Sequence, residues 1–120
     1  VSEACFLSRL RKVNTKWEGA EQLAFRPKFV YHYIQDHYLK PDFAIDVTDF
    51  VDKKMEAIKA YKTQFHNPNS KEPQTPISGE DFLDFIKGRM LQYGRSIGVK
   101  YAEGFQVERT IGVDSFFDLH

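Results

Sequence analysis

The sequence predicts an α/β fold, and three observations carry that expectation. Residues 29–34 (Phe29-Val30-Tyr31-His32-Tyr33-Ile34) and 43–47 (Phe43-Ala44-Ile45-Asp46-Val47) are dense in aromatic and β-branched side chains, the composition of strands. Residues 48–65 and 78–97 instead repeat their apolar positions at helical spacing. The resulting order, helix, strand, strand, helix, helix, strand, interleaves the two element types as layered α/β domains do. A complete doubly wound sheet needs more strands ahead of these, so the order suggests part of a larger α/β domain.

Val1 to Leu10 reads as helix, with Ala4, Leu7 and Leu10 on one face and Cys5 and Phe6 beside them. No strong N-cap precedes the run, so the helix is expected to begin upstream of Val1. Asn14 to Gln22 is polar, contains Gly19 and reads as a loop, with Trp17 anchored on the core surface. Pro27 suits the first position of the strand that follows. The second strand is apolar almost throughout, as strands covered on both faces in parallel sheets are.

Thr48 is expected to cap the next helix, with Asp49 and Asp52 in its first turn opposing the helix dipole. Val51, Met55, Ile58, Tyr61 and Phe65 form its apolar stripe. Asn67 to Pro76 holds three prolines and reads as a loop or exposed arm. Ser78 is expected to cap the third helix, with Asp81 in the capping-box position. Phe82, Ile86, Met90, Tyr93 and Ile97 make its buried stripe, and Gly98 stands where a C-terminal glycine belongs. Phe105 to Arg109 alternates like a strand, and Phe116-Phe117 is placed to pack back on the body.

Composition narrows the function classes. Seventeen basic and seventeen acidic side chains cancel, which argues against electrostatic capture of nucleic acid or of an anionic membrane. No apolar stretch is long enough for a transmembrane span. Cys5 is the only cysteine, so an internal disulfide is excluded and a reducing, cytoplasmic setting is expected. No phosphate-binding loop, dinucleotide fingerprint or nucleophile elbow occurs. Cys5 lies within an apolar helical stretch and reads as a core residue rather than a reactive thiol. The four histidines, His32, His37, His66 and His120, lack the close spacing of a zinc site, and no self-contained metal site or catalytic residue is expected.

Two positions have more to offer. Arg26, just before a buried strand, can fork onto a carboxylate or sugar oxygens in a cleft, or form a surface ion pair. Asp46 ends an apolar strand at the edge where parallel sheets bind ligands, or makes a local turn bond.

Four blocks tip that balance. Arg26-Pro27-Lys28-Phe29-Val30-Tyr31-His32-Tyr33 resembles the "RP…vYhY" strand of the LmbE-like, or PIG-L type, deacetylase family. Pro41 to Thr48 resembles its "PDFvvDvt" segment, and Lys53 to Phe65 its "KkmeAi.ayksQF" helix, with Thr63 where serine is more usual. Arg89, Gly94 and Ile97 to Phe105 match its closing signature. The blocks occur in the family's order across nearly the whole chain, and within the family they are most similar to the bacillithiol-biosynthesis deacetylases. The resemblance implies that residues 1–120 are the C-terminal portion of a single deacetylase domain, the C-terminal part of a Rossmann-like three-layer α/β fold. It implies a parent that hydrolyses N-acetylglucosamine conjugates, N-acetylglucosaminyl malate above all, with a mononuclear zinc. Its zinc ligands and general base would come from "AHPDDxE" and "HPDH" motifs that this sequence does not contain. Arg26 is then the residue expected to contact substrate, and an exposed sheet points to a homo-oligomer. The competing expectation is a non-catalytic binding or oligomerisation module.

Overall fold

The computed structural model describes residues 1–61, 75–79 and 81–119. Helix α1 (Ser2–Leu7) leads into a hairpin of β1 (Thr15–Trp17) and β2 (Ala20–Gln22). Strands β3 (Tyr31–Tyr33) and β4 (Phe43–Asp46) follow, then a 3-10 turn (Thr48–Phe50) running into α2 (Val51–Ala60). Helix α3 (Phe82–Ser96), strand β5 (Ala102–Val107) and a 3-10 turn (Phe116–Asp118) complete the order. The α/β class stands. Among the described residues no helix is long and apolar enough to cross a membrane.

The main sheet has three strands in the order β3-β5-β4. Tyr31 pairs with Val107 and Tyr33 with Phe105, while Phe43 pairs with Phe105 and Asp46 with Ala102. Both pairings are antiparallel, so β3 and β4 run in the same direction with β5 inserted between them. The apolar run at 43–47 suggested a strand of a parallel sheet. An antiparallel inserted strand satisfies the same apolar runs, because composition does not reveal direction.

One face of this sheet is closed. Ile34, Tyr93 and Ala102 form a buried cluster against Ala44, Ile97 and Val99. A side chain at Gly104 would stand 3.1 Å from the Tyr93 ring, which fixes how closely α3 approaches β5. A second cluster, Val51, Met55, Ile86 and Met90, binds α2 to α3. The other face is open and aromatic. Phe29 stacks on Tyr31 at 6.0 Å, Tyr31 meets Phe43 edge-on at 5.4 Å, and Phe43 stacks on Phe105 at 5.2 Å. Tyr31, Tyr33 and Ile45 are 50%, 60% and 48% exposed. The second strand, expected to be covered on both faces, is therefore covered on one.

Several local expectations change. The expected loop at Asn14 to Gln22 is a hairpin, in register from Thr15–Gln22 to Trp17–Ala20. Its turn residues Glu18 and Gly19 have φ of 50° and 86°, the paired positive angles of a tight hairpin turn. Trp17 is exposed, not anchored on the core. The first helix stops at Leu7, buries no residue, and leaves Cys5 only partly covered rather than in the core. Thr48 does not cap α2. Its hydroxyl instead accepts the Tyr101 N–H at 3.2 Å, and its own N–H donates to Asp46 Oδ1 at 2.9 Å. Ser78 bonds Thr75 rather than α3, and Asp81 makes no capping bond. Phe116 and Phe117 are exposed and do not pack back. Helix α2 ends at Ala60, and Tyr61, expected in its apolar stripe, is non-helical and exposed; residues 62–65, nearly all of the proline-bearing loop, His66 and His120 lie outside the described residues.

The C-terminal glycine of α3 is as the sequence suggests. Gly98 has φ +75°, and the Val99 N–H closes on the Gly94 carbonyl at 3.0 Å. That long-range closure is the helix-ending motif which favours glycine at this position.

Candidate functional site

The Arg26 side of the molecule is assembled from three elements. Helix α1 supplies Ser2, Cys5, Phe6 and, just past its end, Arg9. The extended segment before β3 supplies Arg26, Pro27, Lys28 and Val30, and the segment after β5 supplies Glu108 and Arg109. Together they enclose a cleft of about 250 Å3. Pro27 restricts Arg26 to extended geometry, which keeps this segment from continuing as helix.

Backbone clamps hold the walls. The Phe25 N–H donates to the Ser8 carbonyl at 2.9 Å, and the Ser8 hydroxyl donates back to the Phe25 carbonyl at 2.8 Å. These bonds pin the end of α1 to the residue preceding Arg26. At the opposite end, Ser2 donates to Glu108, and His32 Nε2 lies 2.8 Å from Glu108 Oε1. Ser2 Oγ is 3.3 Å from the same ring nitrogen. The hydrogen bond from Ser2, then that with His32, holds the Glu108 carboxyl below the usual glutamate range.

Serine, histidine and glutamate in contact invite a nucleophilic reading, and the geometry rejects it. Such a relay needs the acid on the ring nitrogen opposite the hydroxyl. Here both Ser2 and Glu108 address Nε2. The cluster is a tie between α1, β3 and the end of β5.

The cleft is electropositive: Arg9, Arg26, Lys28 and Arg109 face the single carboxylate of Glu108. Arg9 lies over the Phe6 ring at 4.4 Å and Arg109 over the Phe29 ring at 5.5 Å. Arg109 also donates to the Lys28 carbonyl. Arg26 is exposed, and among the described residues no hydrogen bond or ion pair engages it. Its guanidinium is therefore available to a ligand, with three further cations lowering the cost of bringing an anion there.

The remaining candidates do not join this cleft. Asp46 ends β4, where the Thr48 hydroxyl and backbone N–H hold its carboxyl below the usual range. His37 is fully out in solvent, 3.8 Å from Asp36. Tyr31 and Tyr33 belong to the open aromatic face, and His32 points to the other side. Sequence reasoning missed Glu108, Arg109, Ser2 and Arg9 as cleft residues. The acid–base pair Glu108-Arg109 at a strand end was the available signal; α1 gave none, because its approach to β3 is a tertiary fact. Among the described residues, no group of three or more His, Cys, Asp or Glu side chains could hold a metal ion.

No family model matches the sequence. In solved structures, the fold is similar to that of the conserved protein TT1542 from Thermus thermophilus, with a TM-score of 0.72 and 25% identity. The match covers 93% of this chain and 43% of that one, so the chain spans less than half the length of the protein it matches.

Proposed function

We propose that this chain is the C-terminal part of a metal-dependent amide hydrolase that deacetylates N-acetylglucosamine conjugates, with N-acetylglucosaminyl malate as the first substrate to try. The observation that carries the reading is the placement of Arg26. The residue singled out at the entry of the "RP…vYhY" segment lines a basic cleft and engages no partner among the described residues. Cytoplasmic location, a homo-oligomer and completion into a Rossmann-like three-layer fold belong to the same proposal. Two co-directional strands with a third inserted between them are compatible with such a sheet. The match to less than half of TT1542 leaves room for a further portion.

The described residues do not fit a zinc site, so no step through a metal is derived from them. Their part is binding. Arg26 can present two parallel N–H donors to a carboxylate or to adjacent sugar hydroxyls. Lys28, Arg9 and Arg109 set a positive field around that contact. Ser2, His32 and Glu108 keep α1 against the sheet, so the two walls of the cleft stay in register. Zinc, held by residues outside this chain, would polarise the acetyl carbonyl and activate water in the assembled parent.

The test is an acetate-release assay. The polypeptide encoded by the whole reading frame containing this chain, loaded with zinc, is given N-acetylglucosaminyl malate and then free N-acetylglucosamine. Faster turnover of the acidic conjugate supports the reading, and no acetate from either substrate overturns it. The second reading, a non-catalytic binding or oligomerisation module, is favoured by the open aromatic face and wins in that second case.

A further inference from the structure

We infer that a second cleft, between α2, α3 and the end of β3, binds a small amphipathic carboxylate: a short apolar or aryl body carrying one anionic head. This cleft shares no residue with the Arg26 site and does not depend on the deacetylase reading. It encloses about 230 Å3, below the ~300 Å3 at which drug-sized ligand pockets begin. That suits a compact organic acid rather than a polymer or a nucleotide.

Its floor is apolar. Ile34, Ile86 and Met90 are buried, and Ile58 and Phe82 are half-buried along the walls. Its charged lining is two cations and one carboxylate, Lys54, Arg89 and Glu103, beside the polar side chains of Gln35, Tyr33 and Tyr93. Lys54 is already paired with Glu103. Arg89 is not paired with any carboxylate among the described residues. One of its nitrogens donates to the Asp36 carbonyl at 2.9 Å, and its guanidinium lies 5.3 Å from the Phe85 ring centre. The Asp36 carboxylate is turned to His37 instead. Arg89 is therefore half-buried, oriented by a neutral acceptor and a ring, and left with free donors and an uncompensated charge beside an apolar cavity. A carboxylate supplies the missing charge and acceptors, and a hydrocarbon body displaces water from the floor. Tyr93 closes the far wall; its hydroxyl donates to the Leu39 carbonyl at 3.0 Å, so it offers no competing donor.

The experiment titrates the 120-residue chain with 3-phenylpropionate and with the neutral 3-phenylpropanol, following backbone amide shifts. The acid is expected to bind at least tenfold more tightly than the alcohol, with shifts centred on Ile58, Ile86, Arg89 and Glu103. Arg89→Gln is expected to remove that preference while leaving alcohol binding unchanged. Equal affinity for acid and alcohol, an undiminished preference in Arg89→Gln, or shifts centred elsewhere would overturn the assignment. If Arg89→Gln does not fold, Ile58→Trp decides the matter: it fills the cavity from α2, and binding that persists in it refutes the site.

Discussion

The chain divides into a region with a core and a region without buried side chains. Among the described residues, all seven buried apolar side chains lie between Ile34 and Ala102. Not one residue from Val1 to Val30 is buried, yet this stretch supplies most of the Arg26 cleft. The body is held by side-chain packing of α2 and α3 on each other and on the sheet. The N-terminal region is held by a handful of hydrogen bonds at Ser2, Ser8 and Phe25. Exposed hydrogen bonds of this kind contribute about 1 kcal/mol each, against roughly 2–5 for a well-packed core side chain. The stable part of the molecule is thus its scaffold, and the chemically interesting part is its least anchored.

That contrast can be broken at graded cost. Met90→Ala, at the centre of the α2–α3 cluster, should destabilise the chain by about 2–5 kcal/mol. Phe6→Ala, on half-exposed α1, should cost under about 1 kcal/mol. Chemical denaturation of both variants checks the pair; equal losses would erase the distinction between the regions. Gly94→Ala comes next. Its new methyl would sit 2.7 Å from the carbonyl oxygens of Val99 and Lys100. Backbone atoms cannot swing aside as a side chain can, so a loss of about 1–3 kcal/mol is expected in the same measurement.

The smallest effect is the most specific. Glu108 has its carboxyl lowered by Ser2 and then by His32. A depressed acid stabilises the fold above its ordinary range, and that contribution disappears as pH falls through the folded-state value. Wild type should therefore melt above Glu108→Gln at neutral pH, with the gap closing on acidification below the ordinary glutamate value of 4.5. A gap that stays constant down to strongly acidic pH would show that the tie does not depend on the carboxylate.

What the sequence revealed follows the same divide. In the body, the stripe through Ile86, Met90 and Tyr93 was legible because burial imposes a helical period, and Gly98 because only a positive φ ends α3 that way. Strand direction was not legible: Phe43 to Asp46 has the same composition whether its neighbour runs parallel or antiparallel. In the N-terminal region the hairpin went unseen, since Thr15–Trp17 and Ala20–Gln22 are exposed throughout and carry no apolar alternation. Arg26 was legible as a residue, through its place before Pro27 and the segment it opens. Its cleft was not, because Arg9 and Arg109 reach it from positions 17 and 83 residues away in the chain, and only the folded backbone brings them together.

The central proposal is that Arg26 holds substrate, and the most direct measurement is kcat/KM of the proposed zinc-dependent parent with Arg26 changed. Arg26→Ala should lose roughly 2–4 kcal/mol of catalytic efficiency, the scale of a charged hydrogen-bonded contact. Arg26→Lys should recover little of it, because an ammonium cannot make the planar two-pronged contact. Zinc content and melting temperature should not change. A surface arginine would shift stability by under about 1 kcal/mol and leave catalysis alone. Wild-type kcat/KM in a folded, zinc-loaded Arg26→Ala enzyme would contradict the account.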